Sequence, residues 1–112
     1  MSAITTHVLD TSTGRPATGV PVTLEKQAGG GWQNVGQGVT NQDGRITDLL
    51  AGAKLAPGTY RLTFDTTPYF SARKQPSFYP QVQVMFTVGE AGRHYHVPLL
   101  LSPYGYSTYR GS

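Results

Sequence analysis

The 112-residue chain contains no cysteine, which excludes disulfide staples, thiolate nucleophiles and zinc–sulfur sites. Charge is scarce as well, at 13 % of residues. The nine Lys and Arg residues behind the net charge of +3 are scattered, with only Arg73 and Lys74 adjacent. With no basic cluster, neither nucleic acid nor a membrane surface is expected as a partner. The six acids are equally dispersed, so the paired carboxylates of glycoside hydrolysis are missing. No strand–Gly-x-Ser-x-Gly–helix elbow supports a serine nucleophile. No apolar run approaches the roughly 20 residues of a membrane span. The start, Met1-Ser2-Ala3-Ile4, lacks a cationic segment followed by an apolar one, and a cytoplasmic protein is the expectation.

What the chain does have is turn chemistry, with 14 glycines and 8 prolines, and short alternating runs between the turns. Ile4–Asp10 alternates, with Ile4, Thr6 and Val8 on one face and Thr5, His7 and Leu9 on the other. Val20–Lys26 turns Val20, Val22 and Leu24 inward, and Pro21 suggests that it begins at a sheet edge. Gly29–Gly31 bends into a returning strand, Trp32–Thr40. Asn41–Arg45 (NQDGR) is the sharpest turn signal and puts Arg45 at the head of a short run, Ile46–Leu50. Thr59–Asp65 and Gln81–Val88 alternate cleanly. Between them lies one credible helix, with Thr67 as its cap, Pro68 in its first turn and Tyr69–Lys74 as its body. The expectation is one all-β domain over residues 1–112, an antiparallel β-sandwich of seven or eight short strands with one short helix.

Three ionisable residues interrupt this pattern: His7 in mid-strand, Arg45 directly after a tight turn, and His96 before the apolar run Val97–Leu101. Taken singly, each reads as a solvated or structural residue. His94 lies beside Arg93 and a glycine-bounded loop and reads as an exposed bystander. His94 and His96, two apart on an extended segment, would face one way and suit a metal, with His7 as the third ligand. The lack of thiolates and the placement of carboxylates in turns and strand ends count against that, and no metal or cofactor is expected. The last nineteen residues, His94–Ser112, hold two of the three histidines and four of the seven tyrosines, a density of polar chemistry that a fraying terminus would not carry.

With these residues in view, the chain resembles the transthyretin-like family, and specifically its enzymatic branch, the 5-hydroxyisourate hydrolases. The resemblance spans essentially the whole length. It rests on His7-Val8-Leu9-Asp10, on Asp43-Gly44-Arg45, on His96-Val97-Pro98-Leu99-Leu100-Leu101-Ser102-Pro103, and on the ending Tyr109-Arg110-Gly111-Ser112. In the hormone-carrying branch the positions matching His7, Arg45, His96 and the Tyr-Arg-Gly-Ser tail hold other residues. The resemblance implies an eight-stranded antiparallel sandwich, dimers joined through their last strands, and a homotetramer with active sites in a channel at the dimer–dimer interface.

The implied reaction is hydrolysis of 5-hydroxyisourate to an imidazoline carboxylate (2-oxo-4-hydroxy-4-carboxy-5-ureidoimidazoline) in urate degradation towards allantoin. The resemblance assigns water activation to His7 and His96, fixation of the substrate oxygens to Arg45, and contact with the substrate ring to Tyr109. Arg110 would assist binding or anchor the tail, and Ser112 would hold water or a histidine. Histidine, with an ordinary pKa of about 6.5, suits a base at neutral pH, and a guanidinium suits a planar substrate rich in carbonyls. The rival readings are a carrier that binds a small aromatic ligand in the same channel without chemistry, and a structural sandwich module.

Overall fold

A computed structural model describes residues 3–50, 54–89 and 93–111. In chain order its elements are β1 (Ile4–Asp10), β2 (Arg15–Pro16), β3 (Pro21–Ala28), β4 (Gly31–Val39) and β5 (Arg45–Ile46). They continue with β6 (Gly58–Asp65), α1 (Thr67–Ala72), β7 (Gln81–Val88), β8 (Tyr95–Ser102) and β9 (Gly105–Thr108). The all-β sandwich with one short helix is the observed architecture. Two of these strands, β2 and β5, are two residues long.

One sheet has the order β2-β1-β8-β9, with β5 also paired to β1, and the other has the order β4-β3-β6-β7. Every pairing is antiparallel except one. β1 runs parallel to β8, in register from Ile4↔Tyr95 through Asp10↔Leu101. A parallel pair needs a long crossover, and here the crossover contains the entire second sheet and α1. The sandwich is thus closed by its two ends: the first and last long strands lie side by side.

Alternation decides what goes inside. Ile4, Val8, Leu99 and Leu101 from one sheet meet Val22, Leu24, Leu62, Phe64 and Val82 from the other, and all are fully buried. Thr6 shares this inner face, and its hydroxyl is satisfied by donating to the Val97 carbonyl at 2.6 Å. Asp10 is also fully buried and accepts from the Tyr69 hydroxyl at 2.6 Å and from the Ser12 hydroxyl and N–H at 2.6 and 3.0 Å. These bonds outweigh the cost of burial and hold its carboxyl below the usual carboxylate range.

Three local expectations change. Pro21 does not mark a sheet edge: β3 lies between β4 and β6, and Pro21 pairs only with Val39, because pairing to β6 begins at Val22↔Phe64. The missing N–H is tolerated at the strand's first residue. The run Ile46–Leu50 stays a strand only through Ile46, after which Leu49 and Leu50 are buried from a bend. Thr66, and not Thr67, is the helix N-cap, without a side-chain capping bond. The two hydroxyls instead donate to the carbonyls of Tyr79 (2.7 Å) and Pro80 (2.9 Å), fastening α1 to the segment that enters β7.

Candidate active site

The turn before β5 places Arg45. Asn41 Oδ1 accepts the backbone N–H groups of Asp43 (2.9 Å) and Arg45 (3.0 Å), an arrangement open to the short Asn side chain. Gly44 closes the turn at φ +72°, and a Cβ there would lie 2.4 Å from the Val8 carbonyl oxygen. The Gly44 carbonyl accepts the Val8 N–H at 2.7 Å, so the turn is fastened to β1 next to His7.

Strand pairing then gathers the site. His7 is opposite Arg45 on β5 and opposite Pro98 on β8, and Thr5 is opposite His96. Residues directly paired across a sheet share a face. Thr5, His7, Arg45 and His96 therefore all project from the outer face, away from the core. His7 and His96 are half-buried and Arg45 is exposed.

Electrostatics fixes the state of the rings. His7 is pushed below the ordinary histidine value of 6.5, first by burial and then by the Arg45 guanidinium, while a hydrogen bond to the Asp43 backbone pulls the other way. His96 is lowered by burial, then by Arg45, His94 and His7. Both rings are therefore neutral at pH 7, as a general base must be. A guanidinium on the same face offers fixed positive charge where an oxyanion would form.

The chain terminus reaches the same place. Gly111 donates its N–H to the His96 carbonyl at 2.8 Å in an isolated bridge. The Arg110 guanidinium stacks over the ring of Tyr95 at 4.8 Å, and the Thr108 hydroxyl donates to the Pro98 carbonyl at 2.7 Å. Tyr109 is 57 % exposed. A cavity of about 180 Å³ opens between β7 and this tail, lined by Met85, Phe86, Tyr95, His96, Tyr109 and Arg110 among others. It touches neither His7 nor Arg45. The two lowered histidines and the guanidinium converge instead on the open sheet face.

His7, Arg45 and His96 are thus brought together as the sequence suggests, with Tyr109 and Arg110 beside His96. Ser112 lies outside the described residues. Among the described residues no group of three or more His, Asp or Glu side chains comes together in a way that would hold a metal ion. Two contacts at His96 were not legible in the sequence. The Thr5 hydroxyl lies 2.8 Å from His96 Nδ1, and His94, read as a bystander, lies 3.0 Å from that same hydroxyl. The signal available for Thr5 was its place two residues before His7 on the same strand face.

Known proteins match this chain in sequence and in fold. Residues 4–111 match the model of the HIUase/Transthyretin family. The 5-hydroxyisourate hydrolase of Salmonella dublin is 50 % identical over 109 residues, which are 97 % of this chain and 80 % of that protein. The structure of Klebsiella pneumoniae 5-hydroxyisourate hydrolase superposes with a TM-score of 0.85 at 39 % identity, covering 97 % of this chain and 98 % of the other. Sea bream transthyretin in complex with thyroxine superposes with a TM-score of 0.92 at 32 % identity, covering 98 % and 95 %.

Proposed function

The chain belongs to the HIUase/transthyretin family, and on that premise we propose that it is an enzyme that hydrolyses 5-hydroxyisourate, with His7, Arg45 and His96 carrying the reaction. The observation that supports these roles is the convergence of two neutral, lowered imidazoles and one guanidinium on a single sheet face. A neutral imidazole takes a proton from water as the water oxygen attacks a ring carbonyl carbon. Arg45 holds the substrate oxygens and stabilises the negative charge that develops. Collapse of the tetrahedral adduct breaks the ring C–N bond, and the leaving nitrogen takes up a proton.

Tyr109 and Arg110, which border His96, help bind the substrate ring, and Ser112 holds water or a histidine. The site is open in one protomer, since Arg45 and Tyr109 are both exposed. A homotetramer built as a dimer of dimers, with this face at the dimer–dimer interface, would cover it and exclude bulk water. The carrier reading is weaker: a channel for a neutral aromatic ligand gains nothing from a guanidinium flanked by two histidines, and the identity to the hydrolase of Salmonella dublin exceeds that to transthyretin.

The test generates 5-hydroxyisourate in situ from urate with urate oxidase and follows its ultraviolet decay. The protein should accelerate decay at neutral pH, and should still do so after exhaustive chelation. Decay no faster than the spontaneous rate would remove the enzyme reading in favour of the carrier.

A further inference from the structure

Thr5 belongs to the outer face of β1, yet it is only 4 % exposed. Two imidazoles meet at its hydroxyl: Oγ1 lies 2.8 Å from His96 Nδ1 and 3.0 Å from His94 Nε2. The two rings are close to parallel, at 25°, with centroids 6.4 Å apart. A threonine hydroxyl carries one hydrogen and can donate to one partner only. When that hydrogen is directed at one of the rings, the hydroxyl donates to it and accepts from the other, and the two histidines play opposite parts.

In one arrangement His96 Nδ1–H donates to Thr5, and Thr5 donates to His94 Nε2. The second nitrogen of His96, Nε2, then carries a lone pair and is a base. In the other arrangement every bond is reversed, and His96 Nε2 carries hydrogen and is an acid. A proton gained at His96 Nε2, with one hydrogen moved along each bond, converts the first into the second and leaves His94 with hydrogen on both ring nitrogens.

We propose that Thr5 and His94 form a proton path behind His96, through which His96 changes from base to acid without itself becoming charged. The inference rests on the reading of this chain as a hydrolase that uses His96 as its base. As the water oxygen bonds to the ring carbonyl carbon, the carbonyl electron pair moves onto its oxygen beside Arg45. The water proton moves to His96 Nε2, the Nδ1 proton moves to Thr5 Oγ1, and the hydroxyl hydrogen of Thr5 moves to His94 Nε2. One negative charge now lies on the adduct and one positive charge on His94. The C–N bond then breaks with its electron pair on nitrogen. That nitrogen takes the Nε2 proton while the path runs in reverse and restores both neutral rings.

The location of the positive charge gives the physical reason. A proton retained on His96 would sit half-buried and repelled by Arg45, whereas His94 is exposed in the single protomer. Thr5 and His94 act through His96 and touch no substrate, so they are positioning residues.

The experiment compares Thr5→Val, Thr5→Ser and His94→Ala in the 5-hydroxyisourate decay assay, alongside ¹⁵N spectra of the histidine rings in the substrate-free protein. Valine keeps the shape and strand preference of threonine and removes only the hydroxyl. Thr5→Val and His94→Ala should each lower kcat by at least about tenfold, less than loss of the acid–base group itself, with KM within about twofold. Thr5→Ser should recover most of the loss, and added imidazole should rescue His94→Ala but not Thr5→Val. The spectra should place hydrogen on His96 Nδ1 in the wild type and show that preference lost in Thr5→Val. Unchanged kcat in both Thr5→Val and His94→Ala, with an active wild type, would overturn the path and leave the hydrolase reading standing. A wild-type spectrum with hydrogen on His96 Nε2 would overturn it as well. An inactive wild type would remove the hydrolase reading and the path together. Should Thr5→Val fail to fold, His94→Ala decides, because His94 is exposed.

Discussion

Replacing Gly111 with alanine tests how tightly the tail holds His96. A Cβ at this position would lie 2.6 Å from His96 Cδ2, 3.2 Å from Cγ and 3.3 Å from the carbonyl oxygen. Carbon atoms in comfortable contact are about 3.5–4.0 Å apart, so the added methyl intrudes by about 1 Å. The ring cannot yield without stretching its 2.8 Å bond to Thr5, and the tail cannot yield without stretching its 2.8 Å bond to the His96 carbonyl. If the ring gives way, a displacement of about 1 Å at a catalytic group costs on the order of 10²-fold in rate. If the tail gives way, the loss is about one exposed hydrogen bond, roughly 1 kcal/mol, and Tyr109 leaves the site with it. Either way kcat/KM for 5-hydroxyisourate should fall by about 30-fold or more while Tm drops by only a few degrees. The assay is steady-state decay of enzymatically generated substrate, paired with thermal unfolding of the same preparation. An alanine variant with wild-type kcat/KM would refute the claim that the terminus fixes His96.

The remaining predictions concern charge, pH and the tail. Arg45→Gln should lower kcat/KM by at least about 100-fold, the scale of losing an oxyanion partner. It should also move the acid limb of the residual activity upward, because Arg45 is one cause of the lowered pKa of both His7 and His96. A pH–rate profile of the variant in which that limb stays put would count against the coupling. In the wild type the acid limb should lie below the ordinary histidine value of 6.5, since both rings resist protonation. The sign for stability follows: unfolded histidines bind protons that the folded rings refuse, so denaturant midpoints should hold above that value and decline as pH falls through it. Removal of Tyr109–Ser112 should leave a folded, inactive protein with a lower Tm, because it takes away the Arg110–Tyr95 and Gly111–His96 contacts but no side chain of the core; loss of cooperative unfolding would show that the tail is structural.

The sequence by itself determined which residues alternate and where the chain must turn. Gln81–Val88 and Thr59–Asp65 read as strands because period-two burial is a local property of a half-buried sheet. Asn41–Arg45 read as a turn because Asn and Gly there answer to local backbone geometry. The same alternation put His7 and His96 on the faces opposite the core, and the residues of the resemblance pointed to their chemistry. Alternation does not say which strand lies next to which. The parallel pairing of β1 with β8 brings Thr5 to His96 and His7 to Pro98 across more than ninety residues of chain, and no local pattern encodes it. It arises because the first and last long strands bury Ile4, Val8, Leu99 and Leu101 against the same opposing sheet. Two further contacts are visible only in three dimensions. Thr5 reads as an ordinary β-branched strand residue until two imidazoles converge on its hydroxyl, and His94 reads as a surface residue until that hydroxyl links it to His96.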